Sequence, residues 1–133
     1  MERLAVAAGL VVAAIAVASL VQRRRGAPAM TVPRSELPTA VDLAAVGVRH
    51  GPAVVVFTEE TCRTCAGALA VVRGTAAGVP VVEVPFGAQR ETHRDHGIDT
   101  VPTTVVTDAN GGVVDGWVGA VDPAGLAAAL AEA

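Results

Sequence analysis

The chain has no tyrosine and no lysine, and its 133 residues include one tryptophan and two phenylalanines. With Phe57, Phe86 and Trp117 as its whole aromatic complement, a core has to be packed from Val, Leu, Ile and Ala, and modest stability is expected. Cysteine is nearly as scarce. Cys62 and Cys65 are the two present, and a bridge between them closes no long loop, which excludes a disulfide framework. Positive charge is scarce beyond the N-terminal region. From residue 26 onward six arginines stand against twelve acids, a net charge of −6, which excludes a basic surface for nucleic acid. Internal repeats are absent, and the length allows one small domain with an appendage.

What the chain does have is one long apolar run. Leu4 to Val21 is 18 residues without a charge, ending at Gln22-Arg23-Arg24-Arg25. A bilayer core asks for about 20 apolar residues, with a usable range from about 17, so residues 4–21 suffice for a single transmembrane anchor. A cleavable signal peptide competes, because Ala16-Val17-Ala18 and Ala27-Pro28-Ala29 both have the small-x-small form of a cleavage site. The charges favour the anchor: Arg3 is offset by Glu2 on the near side, and three arginines follow the run, the reverse of a secretory pattern. The same arginines, with Arg34 beyond them, favour the cytoplasmic side for residues 26–133 by the positive-inside bias, and the opposite, extracytoplasmic orientation stays open as the alternative. Residues 22–38, with Pro28, Pro33 and Pro38, read as an Arg/Pro-rich linker, and residues 39–133 as a folded domain.

Within that domain the organising stretch is Val54 to Cys65. A valine-rich strand, Ala53 to Phe57, runs into four polar residues and then a Cys-x-x-Cys pair, with helix-compatible apolar spacing from Ala66 to Arg73. Both cysteines are expected on the first turn of that helix, where unpaired N–H groups and the positive end of the macrodipole stabilise a thiolate. A Cys-x-x-Cys at a strand-to-helix junction points to redox chemistry. The remaining pattern predicts a parallel strand over Val79–Val84 and a short exposed helix over Ala88–His96. A strand opened by Pro102 follows, then a turn at Asp108–Gly112 and an antiparallel return over Val113–Val118. A last helix is capped by Asp122 with Pro123 at its first position. Thr39 to Arg49 fits a short strand or a short helix. The order suggests an α/β fold, a mixed sheet with helices on both faces.

Three motifs together resemble the thioredoxin family over roughly residues 40–133. They are Cys62-Arg63-Thr64-Cys65, the segment Gly97-Ile98-x-x-Val101-Pro102-Thr103, and Val118-Gly119-Ala120 at the exit from the last strand. The resemblance implies a thioredoxin-like sheet and a thiol–disulfide oxidoreductase acting on protein disulfides, with a separate redox partner and no cofactor. Cys62 would be the attacking thiol and Cys65 the resolving one. Pro102 would carry a cis bond facing the disulfide, Val101 would offer backbone groups to a substrate strand, and Gly119 would leave room for it. Arg63 should favour the Cys62 thiolate and make the disulfide more oxidising.

The departures are equally specific. Thr61-Cys62-Arg63-Thr64-Cys65 lacks the family's aromatic and its rigid proline, and the family's buried aspartate falls at Val56. Glu59 or Glu60 could replace that acid through water, although both read more naturally as solvated loop residues. His93 and His96 could join the cysteines as a zinc site, but the resemblance puts them on a separate, exposed helix, so no metal is expected. A second function class stays open, a thioredoxin-fold adaptor or assembly factor for a membrane partner, with incidental thiols.

Overall fold

Strand β1, Ala53–Thr58, is buried along its entire length. Alternation sends Val54 and Val56 to one face of the sheet and Ala53, Val55 and Phe57 to the other, where each set joins a separate apolar cluster. A strand buried on both faces carries no polar alternation, which is why AVVVF reads as a continuous apolar run. The computed structural model describes residues 14–17 and 33–133, and all that follows concerns those residues. Among them no helix is long and apolar enough to cross a membrane. The span expected at 4–21 lies outside the described residues apart from 14–17, which are helical.

β1 leads into α1, Cys65–Thr75, which returns to β2, Val81–Pro85, parallel to β1. Helix α2, Arg90–Asp95, precedes β3, Thr103–Thr107, which pairs antiparallel to β1. β4, Val113–Val118, pairs antiparallel to β3, and α3, Pro123–Glu132, ends the chain. The strand order is β2-β1-β3-β4, the expected mixed sheet.

Helices α1 and α3 cover one face. Ala68, Leu69 and Val72 from α1 and Leu126 and Ala129 from α3 pack on Val54, Val56, Val106 and Trp117. The α3 start follows from its sequence: Asp122 Oδ2 accepts the Gly125 N–H at 2.9 Å, and Pro123 occupies a position whose N–H would be unpaired anyway. The other face is covered by α2 and the segment before β1, with Leu37, Val41, Val46 and Val48 packed on Val55, Phe57, Val84 and Val105. Burying a side chain such as Phe57 is worth about 1.5–3 kcal/mol, so a core poor in aromatics gains much of its stability from valine.

Three expectations need correction. Residues 34–37 are part of the fold, although the linker was expected to extend to 38. Arg34–Glu36 form one turn of 3-10 helix, Arg34 Nη2 donates to Val114 O at 2.9 Å, and Leu37 is buried in the core. The ambiguous stretch 39–49 is neither strand nor helix. Ala40 makes a single bridge to Gly112, and Val41 N–H donates to Gly111 O at 2.8 Å. Gly111 lies at φ +86°, and a Cβ there would collide with Val41 O.

The third correction concerns one residue of α2, which is exposed at Arg90, Glu91, Arg94 and Asp95 as expected but turns His93 inward. His93 is buried, edge-on to Phe57 with ring centroids 5.2 Å apart. Its Nε2 donates to Val84 O at 2.7 Å, since a carbonyl can only accept. His96 is tied twice, Nδ1 donating to Thr92 O at 2.6 Å and Nε2 accepting the Asp42 N–H at 3.2 Å.

Candidate active site

The strand register brings the three motifs to one end of the sheet. Val84, Phe57, Thr103 and Val118 form one rung across all four strands. Immediately beyond it, β1 gives way to the loop Glu59–Thr64, the segment Gly97–Pro102 enters β3, and Gly119 leaves β4. Residues separated by more than thirty positions in sequence therefore share one edge of the molecule.

Cys62 and Cys65 are joined by a disulfide with Cα atoms 5.5 Å apart. The helix does not include both, as the spacing had suggested. It starts at Cys65, with Thr64 at the N-cap and no side-chain capping bond, while Cys62 sits one turn earlier, its N–H donating to Glu59 O at 3.1 Å. The difference has a chemical consequence. Cys65 is buried at 5% exposure and belongs to the face that packs on the sheet, whereas Cys62 is partly exposed at the rim. The first turn of α1 carries no acidic residue, so nothing there opposes the positive end of the helix dipole. Near Cys62 Sγ stands Thr64 Oγ1 at 3.7 Å.

Across the sheet end, the Val101–Pro102 bond is cis, as expected. Pro102 is buried and Val101 partly exposed, and Pro102 O accepts the Gly119 N–H at 2.8 Å. Gly119 lies at φ +86°, and a Cβ at this position would meet nothing within 4 Å, so glycine is needed for its backbone conformation and leaves open space above it. Beside this loop a cavity of about 320 Å³ is lined by Glu36, Gly97, Ile98, Asp99, Thr103 and Val118.

Arg63, Glu59 and Glu60 are all exposed in the loop. Glu60 reaches toward Gly87, where a Cβ would lie 2.9 Å from its Oε1, so it is a loop acid on the rim. Among the described residues no group of three or more His, Cys, Asp or Glu is placed to hold a metal ion. His93 and His96 contact Phe57 on the face opposite α1, away from the cysteines.

Sequence reasoning missed the rung just inside the site. It reads Glu83, Val56, Thr104 and Trp117 across the sheet, and Val56 and Trp117 place it on the α1 face. Two signals were available: a lone glutamate inside the apolar VVEVP, and the second threonine of TTVVT, which alternation puts on the α1 side.

A family profile described as a thioredoxin-like domain matches residues 39–133. Solved structures share the fold. A Malassezia sympodialis thioredoxin is 26% identical, covering 71% of this chain and 85% of that one, with a TM-score of 0.54. A reduced Schistosoma mansoni thioredoxin pre-protein is 24% identical, with 62% and 79% covered and a TM-score of 0.54. Thioredoxin-2 of a malaria parasite, described as a component of that parasite's protein secretion machinery, is 15% identical, with 65% and 89% covered and a TM-score of 0.56. No curated protein matches the chain.

Proposed function

The chain belongs to the thioredoxin-like domain family, and from that membership we propose a membrane-anchored oxidoreductase that exchanges disulfides with protein substrates. The observation that carries this reading is the asymmetry of the pair: a partly exposed Cys62 bridged to a Cys65 buried at 5% at the head of α1. In the reducing direction the Cys62 thiolate attacks one sulfur of a substrate disulfide, and the other sulfur leaves as a thiolate that takes a proton from water. The mixed disulfide is then resolved. Cys65, as thiolate, bonds to Cys62 Sγ, the bond to the substrate breaks, and the substrate departs with both sulfurs reduced. The dithiol is restored by a separate redox partner.

In this reading Val101 offers its backbone to an extended substrate segment, Pro102 closes one side of the disulfide, and Gly119 leaves the room that segment needs. Arg63 favours the Cys62 thiolate by its charge. Residues 4–21 serve as a single-pass anchor, and Arg23–Arg25 keep the domain on the cytoplasmic face, where thiols are held reduced and the net reaction is reduction.

Two experiments test the reading. Reduction of insulin disulfides by the protein, with dithiothreitol as donor, should be lost in both Cys62→Ser and Cys65→Ser, and Cys65→Ser should accumulate mixed disulfides. A cellular role that survives loss of both cysteines would instead identify an adaptor. Alkaline phosphatase fused after Ala133 should be inactive, and activity there would place the domain outside the cytoplasm.

A further inference from the structure

Thr104 has a buried side-chain oxygen with no hydrogen-bond partner among the described residues. The residue is 0% exposed. The other buried threonines of the sheet are all satisfied. Thr58 donates to Glu83 Oε1 at 2.9 Å, Thr103 to Thr100 O at 2.6 Å, and Thr107 to Ala53 O at 3.3 Å. An unpaired buried hydroxyl is a net cost to the fold, and valine has the same shape without it. A hydroxyl in this place calls for a use.

Its position suggests one. Thr104 is the second residue of β3, two positions after Pro102. In register it is opposite Val56, on the face that α1 covers. The helix α1 begins at Cys65, its first buried residue, and the buried face that continues through Ala68, Leu69 and Val72 packs on the side of the sheet that carries Val54 and Val56. In the oxidised protein Cys65 Sγ is a disulfide sulfur, and Thr104 Oγ1 makes no hydrogen bond to it. On opening of the disulfide the same sulfur becomes a thiolate, which accepts a hydrogen bond strongly.

We propose that the Thr104 hydroxyl is the donor that receives the Cys65 thiolate when the disulfide opens, and so positions Cys65 for the resolving step. This rests on the exchange reaction proposed above. Thr104 keeps its proton throughout. The Cys65 proton passes to solvent water, the sulfur lone pair forms the bond to Cys62 Sγ, and the bond from Cys62 to the substrate breaks with its electrons on the substrate sulfur. Thr104 is a positioning residue, since it acts through Cys65.

The charged groups around Cys65 are few. Glu83 of β2 lies on the same rung, exposed, bonded to Thr58 and 3.9 Å from Arg73 of α1. Glu59, Glu60 and Arg63 lie in the exposed loop before α1. Asp115 of β4 accepts the Gly116 N–H, and Asp122 at the head of α3 accepts the Gly125 N–H.

The test is titration of Cys65 by NMR of labelled cysteine Cβ in the reduced full chain with Cys62→Ser, with and without changes at Thr104. Thr104→Val should raise the Cys65 pKa by about one unit, corresponding to about tenfold in thiolate population near neutrality. In the otherwise native protein it should slow mixed-disulfide resolution by a similar factor without changing the alkylation rate of Cys62. Thr104→Ser, which keeps the hydroxyl, should restore the native values, and Glu83→Gln should leave the Cys65 titration in place. Thr104→Ala removes the hydroxyl with a smaller side chain and must give the same shift as T104V. Within the Cys62→Ser background, identical Cys65 titration with Thr104 intact, with T104V and with T104A overturns the proposal, as does a shift produced by Glu83→Gln alone. Failure of the native protein to reduce insulin would count against the proposed function, while the Cys65 titration would still decide the role of Thr104.

Discussion

The two faces of the sheet treat their polar residues differently. On the α2 face His93 donates to Val84 O, His96 is bonded at both nitrogens, and Thr103 donates to Thr100 O. Each of these groups is closed by a backbone partner, and together they hold Phe57 between two imidazole rings. On the α1 face Thr104 Oγ1 is left open, and the helix that covers this face begins at the disulfide-bonded Cys65. One face uses its polar atoms for rigidity. The other keeps a hydrogen bond in reserve at the end of the sheet where the thiols are. His93 and Thr104 are both buried, so what separates them is not burial but whether the buried polar group has a partner.

That contrast can be broken most forcefully on the α2 face. Phe57→Ala removes a fully buried ring from the last rung and should cost about 3–5 kcal/mol in denaturant unfolding, while the folded fraction keeps its Cys62 alkylation rate. A smaller loss is expected from His93→Leu, which preserves bulk but leaves Val84 O unpaired, at about 1–3 kcal/mol by the same measurement. If His93→Leu instead slowed disulfide exchange in fully folded protein, the division between a structural and a chemical face would fail.

On the α1 side the purely structural contributions are smaller. Asp122→Ala loses the cap on Gly125 and should lower stability by about 1 kcal/mol. Arg73→Ala separates an exposed pair at 3.9 Å and should change the unfolding midpoint hardly at all, within about 0.5 kcal/mol. A large effect of Arg73→Ala on exchange rate would assign Glu83 a part that this account gives to Thr104.

Much of the architecture was legible because β-branched runs, glycine turns and the Asp122-Pro123 cap are local signals. β1, the Asp108–Gly112 turn and α3 need little beyond their own residues to form. The cysteine pair was legible through its place at a strand-to-helix junction, and the role of Pro102 only through the resemblance to the thioredoxin family. What was not legible depends on distant partners. Leu37 looked like the end of a linker because its core neighbours, Val55 and Val105 among them, come from strands far along the chain. Placed among arginines and acids, His93 looked solvated, and it is buried because Phe57 and Val84 O supply a ring and an acceptor. The start of α1 at Cys65 was missed because a backbone turn at Glu59–Cys62, with no capping side chain, decides where the helix begins. Thr104 was readable in alternation as facing α1, but an unpaired hydroxyl is visible only when all neighbours are in place.

The central claim is that the two sulfurs have unequal access and therefore unequal roles. It is tested most directly by brief alkylation of the reduced protein with iodoacetamide at neutral pH, followed by mass spectrometry of the modified cysteines. Label is expected on Cys62 first, with Cys65 modified much more slowly because it is buried at the head of α1. Equal labelling of the two, or label appearing first on Cys65, would contradict it.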